Sequence, residues 1–441
     1  MNASSPFFSW TCLFPADTSY EFAPHTAWAR EGGGSRARGD VFVTSDRSSA
    51  ALPDLDSYGG LVAVNCQGLS ERRLQEAGFA YVRRFALLPG LESPRWFIPL
   101  ETPALSSAGF CLSAPFKFAA QLRRCAGRAA ARVGLPGWYR DQIIIARREV
   151  PPVERAIQEL FPGRPVRLAL SSGTPPPAIN RKISLAVLAA GGQVLAFGKL
   201  PGPSGISEHN VRREAEVLSH LSRCPGGTRA PRLLFSGSVG GRFLALSTPL
   251  PGRPPGPEPA DAHRRFLDGL RTGRLRPADD NAYARSLWER APLLANRPDL
   301  ATAHRDLLSA LRASRLPATT VHGDFVPWNL REHEGAIGAF DWEYAQVDGL
   351  PLIDETHHLL AVGYLLRNWS PAEAFDRLSN AASDSPLDLP PRVVGLLQLG
   401  YLLDYLLRLF GEGHGDDYPR VKWCRDIVHY LAPPALRGVA A

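Results

Sequence analysis

Val321-His322-Gly323-Asp324-Phe325-Val326-Pro327-Trp328-Asn329-Leu330 is the stretch on which the reading of this 441-residue chain turns, and Ala339-Phe340-Asp341-Trp342-Glu343 follows it closely. Phosphoryl transfer asks little covalent chemistry of a protein. It needs a carboxylate to take the proton of an attacking hydroxyl, and oxygen ligands to hold Mg²⁺ against the phosphates. Asp324 fits the first role as catalytic base, and Asn329 with Asp341 fits the second as metal ligands. The run Ile337 to Phe340 reads as the strand that delivers Asp341. Three required residue types at fixed offsets rarely recur by accident.

The five-residue step from Asp324 to Asn329 matches the D-x-x-x-x-N catalytic loop of protein kinases. With the acidic motif after it, the sequence resembles the aminoglycoside phosphotransferase/choline kinase family, whose signature is H-G-D-x-x-x-x-N followed by D-W-E or D-F-E. The resemblance spans the C-terminal two-thirds. It implies an α+β, bilobal protein-kinase-like fold, with a β-rich N-lobe, a helical C-lobe and nucleotide held between them. It also implies transfer of the γ-phosphate of ATP (or GTP) to a hydroxyl of a small molecule, with Mg²⁺ as cofactor. Under the same resemblance Lys199 contacts the phosphates and pairs with Glu214 in Arg213-Glu214-Ala215, while Glu216 is the competing partner. Leu246 to Thr248 is expected to form the hinge beside the adenine, so Leu246 and Thr248 join the nucleotide-binding set.

Other features are read more plainly. Ser171 to Asn180 sits where a phosphate-covering loop belongs, but Pro175-Pro176-Pro177 removes three backbone donors, and a plain loop is an equal reading. His322 is expected to shape the catalytic loop and not to act as base. Asp354-Glu355 with His357-His358 is read as a helix start plus packing, in preference to a metal cluster. The rival to an enzyme is a non-catalytic nucleotide-binding scaffold that kept the fold.

Upstream, the first 50 residues are rich in Ser, Gly, Pro and Arg and are expected to be loop or poorly ordered. Residues 51–150 read as a small α/β domain, with strands at Gly60 to Asn65, Tyr81 to Leu88 and Gln142 to Arg147 and a helix at Leu69 to Ala77. This part faintly resembles the C-terminal half of a class I S-adenosylmethionine-dependent methyltransferase. It lacks the glycine loop and acidic residue of the cofactor site, which implies a remnant or docking module. Pro151-Pro152 is expected to be a break, so that deleting residues 1–150 leaves a soluble fragment. The N-lobe is placed at 153–250 with five strands, two joined by the turn Ala189-Ala190-Gly191-Gly192. Nearly all of 251–441 is expected to be helical.

Bulk composition narrows the setting. The chain is 44% hydrophobic and 21% charged, ordinary for a globular protein. Its net charge of +7 is uneven: from Asp341 onward 14 acidic residues face 8 basic ones, a net of −6, which leaves +13 upstream. No compact Lys/Arg block appears, so no nucleic-acid partner is expected. The six scattered cysteines read as reduced thiols of a cytoplasmic protein. Val393 to Phe410, broken by Gln398, Asp404 and Arg408, is expected to be a buried helix, with no membrane span. The acids and aromatics after Asp341, including Tyr344, Tyr364, Trp369, Tyr401, Asp404, Tyr405, Trp423 and Asp426, point to a neutral or cationic hydroxyl acceptor such as an amino alcohol.

Overall fold

The computed structural model describes residues 9–23, 40–45, 54–66, 68–112, 118–134, 139–173, 180–223, 229–312, 314–383, 387 and 389–436. The chain divides into two compact units, Met1–Ala215 with Arg232–Pro249, and Glu216–Pro231 with Leu250–Ala441.

The first unit is built on one sheet of eleven strands: β1 (Tyr20–Phe22), β2 (Val41–Thr44), β3 (Gly60–Val64), β4 (Tyr81–Leu88), β5 (Trp96–Pro99), β6 (Gln142–Arg147), β7 (Val166–Ser171), β8 (Lys182–Ala189), β9 (Val194–Pro201), β10 (Leu233–Val239) and β11 (Arg242–Ser247). Their order is β1-β2-β3-β6-β4-β5-β7-β8-β9-β11-β10. β1, β2 and β3 run parallel, and β6 is inserted antiparallel between β3 and β4. Successive side chains in a strand point to opposite faces. Accordingly Val62, Ile143 and Ile145 join one core, while Leu61, Ala63 and Ile144 join another with Leu74 of α1 (Glu71–Glu76). Burial on both faces is why these strands read as unbroken apolar runs.

Two expectations are corrected here. The described part of the first 50 residues is structured: Trp10, Leu13 and Phe14 are buried in the main core, Tyr20 stacks edge-on against both Trp10 and Phe14, and β1 and β2 belong to the sheet. The Ser/Gly-rich stretch at 31–39 lies outside the described residues. Nor is Pro151-Pro152 a boundary between cores. β5 pairs with β4 on one side and β7 on the other, so the expected α/β part and the five kinase-type strands are one sheet. The helices in this region are α2 (Pro103–Gly109), α3 (Phe118–Arg132) and α4 (Pro152–Leu160), and α4 buries Val153 and Ile157 in the same core. Its Glu154 accepts a hydrogen bond from Arg83 of β4 at 3.0 Å. The strands expected from 153 to 250 are all present as β7 to β11, and the β8–β9 turn has Gly192 at φ +83, a conformation that favours glycine. The long α5 (Gly205–Leu221) follows β9.

The second unit is mainly helical: α6 (Asp261–Asp268), α7 (Ala282–Glu289), α8 (Pro298–Arg312), α9 (Ile353–Val362), α10 (Pro371–Ser383), α11 (Pro391–Gly411) and α12 (Pro419–Leu436). It also holds strands where almost only helix was expected. β12 (Arg271–Pro277), β13 (Arg315–Val321) and β16 (Gln346–Gly349) form one small sheet, and β14 (Leu330–His333) with β15 (Ala336–Ala339) forms a hairpin. α11 is long and apolar enough to cross a membrane, yet Leu397, Leu399, Leu402, Leu403, Leu406 and Leu407 are all sealed in the core of this unit, as expected for a buried helix.

Candidate active site

β13 feeds His322 into the catalytic loop, and the loop is fixed by its own backbone. Gly323 sits at φ +79, and a Cβ there would lie 2.5 Å from the Tyr344 carbonyl oxygen, so only glycine fits. The N–H groups of His322 and Gly323 donate to the two carboxylate oxygens of Asp354 at 2.7 and 2.9 Å. His322 uses both ring nitrogens locally: Nδ1 accepts from the Asp324 N–H at 3.2 Å and Nε2 donates to the Phe340 carbonyl at 3.0 Å. Burial pushes its pKa down to about 4, so it is a neutral structural residue, as expected.

Asp324 is held at both oxygens. Oδ2 accepts from Asn329 Nδ2 at 2.8 Å, and Oδ1 faces His357 Nε2 at 2.9 Å. A carboxylate only accepts, so Nε2 carries the proton. The Tyr401 hydroxyl then donates to His357 Nδ1, also at 2.9 Å. Burial alone would raise the Asp324 pKa, but the His357 hydrogen bond and the nearby Arg408 charge outweigh it and hold the carboxyl below its usual value. The side chain still keeps 28% of its surface open, which leaves a face for a ligand.

The β14–β15 hairpin supplies the third group. The Phe340 N–H donates to the Asn329 carbonyl at 3.0 Å, which anchors the residue before Asp341 onto the catalytic loop. Asp341 itself takes a left-handed φ of +70, an unfavourable backbone for a non-glycine residue, with Trp342 fully buried behind it. Asp324, Asn329 and Asp341 are thus brought together in the second unit.

The first unit carries the other expected pair. Lys199, on β9 opposite Ala245 of β11, donates its ammonium to Glu214 Oε2 of α5. Glu214 and not Glu216 is therefore the partner. Leu246 is buried within the sheet core and lies in the ladder between Gly198 of β9 and Phe235 of β10, while Thr248 Oγ1 accepts from the Arg232 N–H at 2.9 Å. Of the expected phosphate loop, 174–179 lies outside the described residues.

Asp354 and His357, read from the sequence only as helix start and packing, are bonded to the 322–329 loop. They lie one helical turn apart on α9, and one reaches the backbone of that loop and the other the Asp324 carboxylate. Their D-x-x-H spacing was a visible signal. The other two members of that group turn elsewhere: Glu355 binds Arg271 and His358 donates to the Pro257 carbonyl. Among the described residues no group of three or more His, Cys, Asp or Glu side chains is placed to hold a metal ion together.

His357→Gln is expected to lower kcat about tenfold, ~1.4 kcal/mol of barrier, with the nucleotide KM unchanged. Its hydrogen bond favours the charged form of Asp324, so removing it raises that pKa and moves the acid limb of the kcat/KM profile to higher pH. An unmoved acid limb would show that His357 only packs.

Asp324, Asn329 and Asp341 in the second unit and Lys199 with Glu214 in the first are the residue types that kinase-like phosphoryl transfer uses. Residues 196–393 match the model of the phosphotransferase enzyme family (APH), and the C-terminal part of the chain carries a domain of that family. Similar solved structures include a protein of Thermobifida fusca YX-ER1 classed as a fructosamine-3-kinase, at 21% identity, TM-score 0.44, covering 66% of this chain and 100% of that one. A thermostable mutant of aminoglycoside phosphotransferase APH(4)-Ia in complex with ADP and hygromycin B shares 14% identity, with TM-score 0.46, 66% of this chain and 99% of that one covered. Plasmodium vivax ethanolamine kinase shares 13% identity, with TM-score 0.40 and coverage of 62% and 83%. No curated protein matches the chain.

Proposed function

We propose that this protein transfers the γ-phosphate of ATP or GTP to a hydroxyl of a small molecule in the cytoplasm. The observation that carries the reading is the Asp324 carboxylate, charged, fixed by Asn329 and His357, and still partly open. The acceptor oxygen attacks the γ-phosphorus, its proton passes to Asp324, and the bond from the γ-phosphorus to the β–γ bridging oxygen breaks to release the nucleoside diphosphate. Lys199, steadied by Glu214, binds the phosphates.

The residues present fit Mg²⁺. Asn329 spends its amide N–H groups on Asp324 and keeps its carboxamide oxygen out of the loop's own hydrogen bonds, and Asp341 adds a carboxylate, a hard oxygen set of the kind this ion takes. When bound, the ion neutralises charge on the phosphates. The N-terminal α/β part is proposed to support the kinase strands, without methyl transfer.

The test is a screen of small hydroxyl compounds with γ-labelled ATP, paired with nucleotide titrations. Asp341→Ala is expected to weaken Mg²⁺-dependent nucleotide binding at least tenfold. Nucleotide binding with no transfer to any acceptor would favour the scaffold reading instead.

A further inference from the structure

The acids and aromatics of the second unit suggested a site for an ammonium group, but Tyr344, Tyr364, Trp369 and Tyr405 are already covered by the chain's own cations, and Tyr401 and Trp423 pack against other rings. The Arg408 guanidinium lies 4.4 Å from the Tyr344 ring centre and 4.7 Å from that of Tyr405. Arg420 lies 4.9 Å from the same Tyr405 ring and 4.8 Å from Tyr364. Arg377 covers Trp369 at 5.4 Å. A ligand cation would have to displace them, and like charge opposes it.

These two guanidiniums are also close to the chemistry. Arg408 Nη1 donates to the Gly323 carbonyl at 3.2 Å, one residue before the base. Arg420 covers Tyr405, whose ring centre lies 6.1 Å from that of His357, the residue bonded to Asp324. Both are half-buried, where a cation without a counter-ion is costly.

Yet neither has a carboxylate partner among the described residues, because the acids around them are committed elsewhere. Asp404, one turn before Arg408, is bound by Arg290. Glu412, one turn after it, accepts from the Tyr344 hydroxyl at 3.4 Å and faces His414. Asp416 is held by Arg297, with Arg425 nearby, and Asp299 by Arg425 and His429. Asp417 is exposed and makes no ion pair with Arg420. Asp324 is the acid that remains close to Arg408, and its charge is reserved for the proton transfer.

Resting on the kinase reading above, we propose that Arg408 and Arg420 form an anion subsite, and that the acceptor is a small hydroxyl compound carrying a carboxylate or phosphate group. A guanidinium presents a planar fork that matches such oxygens, and the aromatic stacking on Tyr344, Tyr364 and Tyr405 pre-orients both forks. The anion supplies the missing counter-charge, so binding energy is gained without moving Asp324.

The full chain, saturated with Mg²⁺ and a non-hydrolysable ATP analogue to fill the nucleotide site, is titrated with inorganic phosphate and citrate while tryptophan fluorescence is followed. Saturable binding is expected, weakened at least tenfold in Arg420→Met and only partly in Arg420→Lys, which keeps the charge but loses the fork. In the labelled-ATP screen, hydroxy acids or sugar phosphates should exceed amino alcohols at least tenfold in kcat/KM. Absence of saturable anion binding, binding indifferent to Arg420→Met, or preference for an amine-bearing acceptor overturns the proposal. The anion titration needs no turnover, so it stands apart from a failure of the kinase reading, which would show as lost Mg²⁺-dependent nucleotide binding.

Discussion

Asp324→Asn is expected to lower kcat by about 10² to 10⁴-fold, the range a positioned general base supplies, while nucleotide affinity changes less than about threefold. The amide keeps the shape of the carboxylate and an oxygen for the His357 N–H, while its NH₂ faces Asn329 Nδ2, which loses that acceptor but keeps its bond to the Asp324 carbonyl, so the cost of a stranded donor, about 1–3 kcal/mol, falls on one N–H at most. Alanine at this position would lose both, and its effect would mix chemistry with loop order. Comparing the two variants by single-turnover transfer and thermal melting separates these contributions. Full turnover in Asp324→Asn would remove it from the role of base.

A fragment beginning at residue 151 should be insoluble or aggregated, the reverse of what the Pro151-Pro152 break suggested. Cutting there strips β5 from β7 and leaves Val166–Ser171 as a long, apolar, unpaired edge. It also removes Trp10, Phe14, Phe85, Phe97, Ile143 and Ile145 from a core they share with Val166, Leu168 and Leu185. The loss is far beyond the margin by which a domain is stable. Expression of several fragments starting between residues 140 and 160, followed by size-exclusion chromatography, checks this. A monodisperse fragment with a cooperative melt would mean that the kinase strands hold their own core.

The candidate set was legible because it is local. Asp324, Asn329 and Asp341 lie within 18 residues of one another, on a loop and hairpin whose spacing is set by the backbone itself. The Lys199 and Glu214 positions followed from strand and helix order, and β7 to β11 from apolar runs broken by turn residues. β5 was not legible: Trp-Phe-Ile-Pro is four residues long and ends in proline, too short to show a period, yet it joins the two halves of the sheet. β12, Arg-Thr-Gly-Arg-Leu-Arg-Pro, has no apolar alternation and is a strand only because β13 pairs with it.

What the sequence by itself determined is the candidate set of Asp324, Asn329 and Asp341 and the kinase-like order of elements, since these depend on contacts between near neighbours in the chain. What only the tertiary structure decided is which side chains surround that set. Tyr401 and His357, 44 residues apart, meet at 2.9 Å, and Arg408 reaches Gly323 across 85 residues. Composition showed a net acidic, aromatic C-terminal part. Packing then paired Asp348, Glu355, Asp404 and Asp416 with arginines and set guanidiniums over Tyr344, Tyr364, Trp369 and Tyr405, so the charge presented beside Asp324 is opposite to the one the composition implied. Net charge sums over a chain, whereas a binding site feels only the charges left unpaired within a few ångströms.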